Sequence, residues 1–449
     1  MKKNLLLSII FILLACLLWK PASSISTELR DQEETESSKL LEELKEGFEY
    51  SIRFLSSGIY QDVSNTSQNP DNNFFQIPRY LTELELRPDF RLNLRRLELS
   101  LKPRLNVEFR AWEDGSQKGD DEFNDDLLIN EWLGRMRIAE GLFISYGREN
   151  LQWGPSYLFS PSNPFFMDNG RSNPKQEVPG MDFARLVWLP GMSWTVSFIA
   201  NLDQGLQEFL YYEFDRIYAL KLDYAGQQEY AGLILSHKEN DRTRLGAFGG
   251  WTASDALLLY GEGVICRGSN ALYPKDADNH PFDASMEAID DDDSSIKGII
   301  LTGGSYTLET GPTLTVEYVY NGPGYDDTQA EAYYRLRQEA ADAYSLAGSI
   351  YDLSRLTLSR TADPKLRFIR RNYLMFQYNH NDIMDVLNMT FCWTQNIDDG
   401  SGQFTSIMEY YVGDHTQLFL VGSVNSGGRE TEFRTPLESQ CMIGLEYIF

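Results

Sequence analysis

Eight basic residues, Arg53, Arg87, Arg91, Lys102, Arg104, Arg110, Arg135 and Arg137, stand at alternating positions within the early segments of the chain. Glu83, Glu85, Glu98, Glu108 and Glu131 are interleaved with them. Guanidinium stays charged and forks onto a carboxylate or phosphate. A wall carrying several such groups can pass or hold an anion, such as a carboxylated or phosphorylated sugar. The same residues can also pair with the glutamates across strands and stiffen a wide lumen. The two uses are compatible. Arg371 is a later candidate for the same wall.

A second feature with chemical potential is Gly147 to Asp182, GRENLQWGPSYLFSPSNPFFMDNGRSNPKQEVPGMD. Trp153, Tyr157, Leu158, Phe159, Phe165, Phe166 and Met167 are too apolar for a solvated loop. Pro155, Pro161, Pro164, Pro174 and Pro179 make the segment stiff. Folding inward buries the aromatics and narrows whatever space the loop enters. Aromatic faces beside Arg148, Asn163 and Arg171 make a surface suited to sugars. The plainer outcome is a loop that packs inside the wall and seals it.

The elements that position these residues follow a period of two. Leu84, Leu86, Pro88, Phe90, Leu92 and Leu94 share a face, with Glu83, Glu85, Arg87, Asp89 and Arg91 opposite. At Arg95-Arg96 the phase slips by one, and Leu97, Leu99, Leu101, Leu105, Val107 and Phe109 carry the apolar face. A one-residue slip turns every side chain over, so the stripe survives only if the chain reverses there. An arginine facing lipid at the middle of a barrel wall costs roughly 2–4 kcal/mol. The charged face is therefore the lumen and the leucines face lipid.

Continued along the chain, this reading places tight turns near Arg95-Arg96, Ala139-Glu140, Pro190-Gly191, Gly226-Gln227, Ser254-Asp255, Gly311-Pro312, Asn381-Asp382 and Gly413-Asp414. Longer loops fall near 59–79, 113–126, 150–180, 203–214, 238–243, 266–295, 322–364, 398–402 and 426–435. Eight turns and nine loops predict an all-β, antiparallel up-and-down transmembrane barrel of about eighteen strands, with sixteen the alternative count. Thr328 to Ala347 has helical spacing inside one loop, with Asp326 and Asp327 at its start and Gly348 at its end.

Both ends of the chain agree with export to an outer membrane. Lys2 and Lys3 precede an apolar run, Leu5 to Trp19, of signal-peptide length. Residues 1–24 are expected to be removed, with cleavage at Cys16 and lipidation as the rival. Residues 25–46 form an acidic periplasmic segment, with a short helix over Ser38–Lys45, and 47–449 form the barrel. The final strand, Gln440 to Phe449, ends on alternating aromatics, as the closing strand of a barrel does. The net charge of −26 excludes nucleic acid as a partner. The expected partners are outer-membrane lipid and lipopolysaccharide, the barrel-insertion machinery and an anionic sugar or polysaccharide.

No cofactor or metal is expected. The acidic loop at 266–295 lacks the order of ligands and glycine that a calcium loop needs. Cys266, Cys392 and Cys441 are far apart and suggest neither zinc nor a disulfide framework. Enzymatic barrels need a base, usually histidine. His380 and His415 fall at turns, and His237 and His280 in or beside external loops, without a serine or carboxylate in register.

Gly147-Arg148, Trp153-Gly154-Pro155, Ser160 and Asn163-Pro164-Phe165 together resemble the capsule-assembly family called Wzi. The region is also similar to alginate-export-type barrels and to porin-like families associated with efflux. The Wzi resemblance implies an eighteen-stranded outer-membrane barrel that associates capsular polysaccharide with the cell surface. It carries over Arg148, Trp153 and Asn163 as loop-positioning or ligand-facing residues. Two readings follow: a porin or export channel for small or polymeric anionic, carbohydrate-like solutes, or a non-conducting surface protein that binds polysaccharide.

Overall fold

Inside a bilayer no water pairs with a stranded N–H or C=O, so a strand can cross only if both its edges are paired. This chain meets that condition by closing on itself. The computed structural model describes residues 42–207, 214–277, 281–282, 284–288, 295–346 and 348–449. Within these, eighteen strands form one antiparallel sheet in chain order. They are β1 (Phe48–Val63), β2 (Tyr80–Asn93), β3 (Leu97–Ala111), β4 (Asp121–Ala139), β5 (Leu142–Glu149), β6 (Met181–Trp188), β7 (Trp194–Asp203), β8 (Ile217–Ala225), β9 (Glu229–Lys238), β10 (Thr243–Thr252) and β11 (Leu257–Arg267). After an external hairpin, β12 (Leu272–Asp276) and β13 (Ala284–Ala288), come β14 (Ile296–Thr307), β15 (Thr313–Asn321), β16 (Asn372–Ile383), β17 (Leu387–Asn396), β18 (Gly402–Val412), β19 (Thr416–Ser426) and β20 (Leu437–Ile448). The cylinder closes where β1 pairs with β20, from Arg53 opposite Ile448 to Val63 opposite Leu437.

The outside of the wall is apolar. Leu220, Leu222, Leu233 and Leu235 are exposed on it, while Ile234 between the last two is buried inside. The phase reversal at Arg95-Arg96 is a tight turn: Leu92 faces Leu99 across β2 and β3, and both lie on the outer face. A second reversal was not anticipated. Asn130 is an extra residue opposite the Lys102-Pro103 step of β3. This bulge moves the outward stripe of β4 from Phe123 and Leu127 to Met136 and Ile138.

The expected tight turns all occur. The one placed near Asn381-Asp382 lies at 384–386, because β16 runs past an irregularity to Ile383. The loop expected at 113–126 is shorter, because the polar start of β4 at Asp121 already pairs with β3. The signal peptide and residues 25–41 lie outside the described residues, as do His280 and Asp290 to Asp293 of the acidic loop. Residues 42–47 are helical.

Two long external loops, at 268–295 and 322–371, fold together into a cap. Helix α1 (Asp327–Ala343) begins with a capping box, in which Asp326 accepts from the Gln329 N–H and Gln329 accepts from the Asp326 N–H. It ends before the expected Ala347, and Gly348 serves a different purpose. With φ near +85° it is the N-cap of a second helix, α2 (Ser349–Ala362). The buried side of α2 is Ser354, Thr357, Leu358 and Thr361. Ile350, Leu353 and Leu358 share that face, but the serine and threonines between them weaken its periodic signal. Tyr325, Tyr333, Leu336, Ala340 and Leu358 pack on Tyr273, Phe282 and Met286 of the hairpin segment.

A closed sheet of this kind resists dodecyl sulfate until heated. Unboiled protein should migrate faster than boiled protein on a denaturing gel, and identical mobility would rule the barrel out.

Candidate functional site

The inward-folding loop runs from 150 to 180, between β5 and β6. Its first arm is held by apolar packing. Phe165 and Phe166 are buried against Met181, Phe183, Ile199, Ala219 and Ile234 on the inner faces of β6 to β9. Trp153 meets Phe165 edge-on at 5.9 Å, and Phe165 meets Phe183 at 5.0 Å. Phe159 packs on Tyr260, Leu301, Val319 and Tyr373. Burying each phenylalanine contributes roughly 1.5–3 kcal/mol. The loop thus supplies the apolar cover that an inner wall of this composition requires.

Two carboxylates fasten the same arm. Glu262 of β11 accepts from the hydroxyls of Ser156 (2.8 Å), Ser160 and Ser162 (2.7 Å), and from the Ser162 N–H (3.2 Å). Glu317 of β15, with no exposed surface, accepts from the N–H groups of Tyr157 (2.6 Å) and Leu158 (3.1 Å) and from the Tyr260 hydroxyl (2.7 Å). Most of the donors to these carboxylates are loop hydroxyl and N–H groups, so those bonds hold only while the loop stays inside. Gly154 completes the fit. Its φ is near +88°, and a Cβ there would lie 2.3 Å from a Glu262 oxygen.

The second arm crosses the lumen. Lys175 is buried between Glu409 of β18 (2.8 Å) and Glu446 of β20 (2.9 Å), donates to Gln417, and lies over the Phe419 ring. Glu177 takes a fork from Arg104 (2.7 and 2.9 Å) and a bond from Asn130 (3.0 Å), with Arg53 at 3.6 Å. Arg87 donates to the Lys175 carbonyl at 2.7 Å. The loop is therefore anchored on opposite sides of the barrel.

This accounts for most of the expected arginine wall. Arg53, Arg87, Arg91, Lys102, Arg104, Arg110, Arg135 and Arg137 all lie on lumen-facing positions, but carboxylates neutralise nearly all of them. Arg91 and Arg135 share Glu98 (2.5 and 2.9 Å), Lys102 pairs with Glu131 (3.0 Å), and Arg110 with Glu108. Arg104, only 2% exposed, also holds Asp89 at 2.8 Å. Arg137 donates to the Arg95 carbonyl at 2.9 Å. Arg371 is not in the wall. It precedes β16, donates to the Gly324 carbonyl and faces Asp326 at 3.5 Å, so it secures the start of α1.

The loop residues divide in the same way. Arg148 pairs with Asp182 at 2.7 Å at the loop's base, on the side of β5 shared with the outward-facing Ile144 and Tyr146. Asn163 is buried. It donates to the Leu151 carbonyl and accepts from the N–H groups of Phe165 and Phe166. Trp153, Phe165 and Phe166 are packing residues. Of the expected binding set, Arg148 borders an opening of about 450 Å³ beside the paired Arg91 and Lys102, and Tyr157 and Arg171 line a separate space.

That space is a cavity of about 280 Å³ between the loop and the inner wall of β16 to β18. Gln377, Thr390, Thr394, Gln403 and Thr405 form its polar wall. Arg171 lies over the Tyr157 ring (4.9 Å to its centroid) and donates to the carbonyls of Pro155 and Ser156. Arg367 lies over Phe368 (5.7 Å), with Asp168 at 3.9 Å. Glu432 closes the cavity from the last external loop. It accepts from Asn396 (2.8 Å), the Ile369 N–H (2.9 Å) and the Tyr373 hydroxyl, and burial pushes its carboxyl up to about 7.

Glu262, Glu317, Lys175, Glu177, Arg367 and Glu432 were not singled out from the sequence. Glu262 and Glu317 did leave a signal: each is the lone carboxylate on the inward face of an otherwise uncharged strand stretch. The others depend on contacts between distant loops. Among the described residues, no cluster of three or more His, Cys, Asp or Glu is placed to hold a metal ion.

No protein-family model matches the chain, and no curated protein matches it. Solved structures do resemble its fold. OccAB1 of Acinetobacter baumannii aligns over 90% of this chain and 96% of its own, at 13% identity and a TM-score of 0.53. OccK5 (OpdH) of Pseudomonas aeruginosa aligns over 90% and 98%, at 9% identity and a TM-score of 0.53. OprD of Pseudomonas aeruginosa aligns over 89% and 95%, at 10% identity and a TM-score of 0.50. At these identities the likeness is one of fold.

Removing one partner of a buried ion pair costs about 3–5 kcal/mol. Lys175→Met should therefore release the second arm while the barrel persists. Limited proteolysis should cut the variant between 170 and 178 with its gel shift intact. Equal resistance in variant and parent would show that Lys175 does not hold the arm.

Proposed function

We propose that this barrel lies in the outer membrane of a Gram-negative bacterium and acts as a channel for small anionic, carbohydrate-like solutes. One observation carries the reading. The inward loop leaves a cavity in which two arginines face a polar wall, each guanidinium backed by an aromatic ring. Ring-backed guanidinium groups hold a carboxylate or phosphate in a fixed plane. Threonine and glutamine side chains opposite suit hydroxyl groups. The outer-membrane porins that share this fold are consistent with transport.

A small solute fits better than a polymer, because the loop is fastened to both walls and reduces the lumen to a narrow space. The polysaccharide-binding reading draws on Arg148, Trp153 and Asn163. All three are engaged within the protein, which favours the channel. The paired arginines of β1 to β4 serve as a lattice, and exposed pairs of that kind contribute only about 0–1 kcal/mol each.

Purified protein in a planar bilayer should open ion-permeable steps with anion preference. The double variant Arg171→Gln/Arg367→Gln should lose most of that preference with the steps retained; an unchanged reversal potential would sink the assignment of these arginines. Silent bilayers from well-folded protein would sink the channel itself.

Glu432 predicts a pH dependence. Above about 7 it is charged and opposes an anion in the cavity; below that value it is neutral. Anion preference should therefore rise as pH falls from 8 to 6. Glu432→Gln should hold the preference at its low-pH level throughout, and a variant that still titrates would exclude Glu432 as the group.

A further inference from the structure

A cavity of about 670 Å³ lies away from the constriction. It lies at the external mouth, where four separate segments meet. Loop 64–79 supplies Asn65, Thr66 and Gln76, and loop 112–120 supplies Ser116. The α1–α2 segment supplies Asp342, Tyr344 and Tyr351, and loop 427–436 supplies Arg429 and Arg434. None of its lining residues belongs to the inward loop at 150–180.

The site is built rather than incidental. Arg337 of α1 donates to the Ser67 hydroxyl at 3.0 Å, and the Tyr344 hydroxyl reaches the Asn73 carbonyl at 3.4 Å. These bonds tie the cap to the first loop. Tyr344 and Tyr351 stand with ring centroids 5.2 Å apart and are only half-buried, so ring surface remains open to the cavity. The Thr66 hydroxyl oxygen in the lining is buried and has no hydrogen-bond partner. It is enclosed beneath the lining, so the groups a ligand meets are the tyrosine rings, amides and charges at the cavity surface.

Charge decides the class of ligand. Asp71 and Asp342 balance Arg429 and Arg434, so the lining has no net charge. An ion would find as much repulsion as attraction there. Amides, hydroxyls and paired charges fit a ligand that is both donor and acceptor at every edge, and tyrosine faces suit the apolar side of a sugar ring. The volume is that of a small-molecule site, about 300–1,000 Å³. We propose that this vestibule binds a neutral oligosaccharide at the external mouth. The site is separate from the constriction and does not depend on anion transport.

The test is a binding measurement on the full chain in detergent, by saturation-transfer NMR and calorimetry, with maltotriose and chitotriose as neutral probes. Glucuronate is the anionic comparator and dextran the polymer. At least one trisaccharide should bind at millimolar concentration or tighter, with transfer from aromatic protons. Tyr351→Ala and Asp342→Ala should each weaken binding about tenfold, the scale of one lost ring or charged-acceptor contact. Asp255→Asn, at a distant turn, should leave it unchanged, and the gel shift checks that each variant is folded. Dextran excluded while trisaccharide binds identifies a free solute as the source. Dextran bound through the same residues identifies a surface polymer. No binding of either trisaccharide, tighter binding of glucuronate, or binding that survives the loss of both Tyr344 and Tyr351 would overturn the proposal.

Discussion

Backbone hydrogen bonding in a medium without water is the constraint from which the rest of this protein follows. Each strand must be paired on both edges, and pairing β1 with β20 removes the last free edges. Closure then separates two solvents. The outer face carries leucines and aromatics because an unpaired charge there is costly, and every arginine of β1 to β4 is turned inward. The alternation of single residues is thus set by the bilayer. Its two reversals, at Arg95-Arg96 and at the Asn130 bulge, are the places where the chain keeps the rule.

A lumen of eighteen strands is too wide for its own side chains to fill. The loop at 150–180 resolves this with two kinds of contact. On the β6 to β15 side the inner wall is largely apolar, and Phe159, Phe165 and Phe166 cover it. On the opposite side the wall is charged, and Lys175 and Glu177 meet it with complementary charge. Glu262 and Glu317 pair with loop hydroxyl and N–H groups in place of cations. The division of the loop into an aromatic arm and a charged arm mirrors the division of the wall.

The matching is left incomplete at the cavity beside β16 to β18. Arg171 and Arg367 are supported by rings and carbonyls rather than buried in a carboxylate fork. Glu432 is held by three donors, and burial still pushes its carboxyl up to about 7. The paired cations of the lattice have spent their charge on one another. The many ion pairs around these weakly partnered groups provide stiffness.

The class of fold was legible in the chain itself. Alternation is a local property, so Leu84, Leu86 and Leu92 on one face and Arg87 and Arg91 on the other disclose a two-sided wall before any partner strand is known. The slip at Arg95-Arg96, the strand number and the limits of the 150–180 loop follow from the same local rule. The helix at Asp326 was legible for the same reason, whereas α2, whose packed face mixes Ser354, Thr357 and Thr361 with Ile350, Leu353 and Leu358, was not. What each charge does was decided only by the tertiary structure. Arg104 and Arg171 look alike in sequence, yet one is locked to Glu177 and Asp89 and the other lines a cavity. Arg371 is a candidate for the wall by its residue type but is drawn off by Asp326, and Arg148, expected to face a ligand, is taken by Asp182. Pairing between residues 73 or 271 positions apart, as for Arg104 with Glu177 and Lys175 with Glu446, leaves no periodic trace. Such partners meet only when the cylinder has closed and the loop has folded into it.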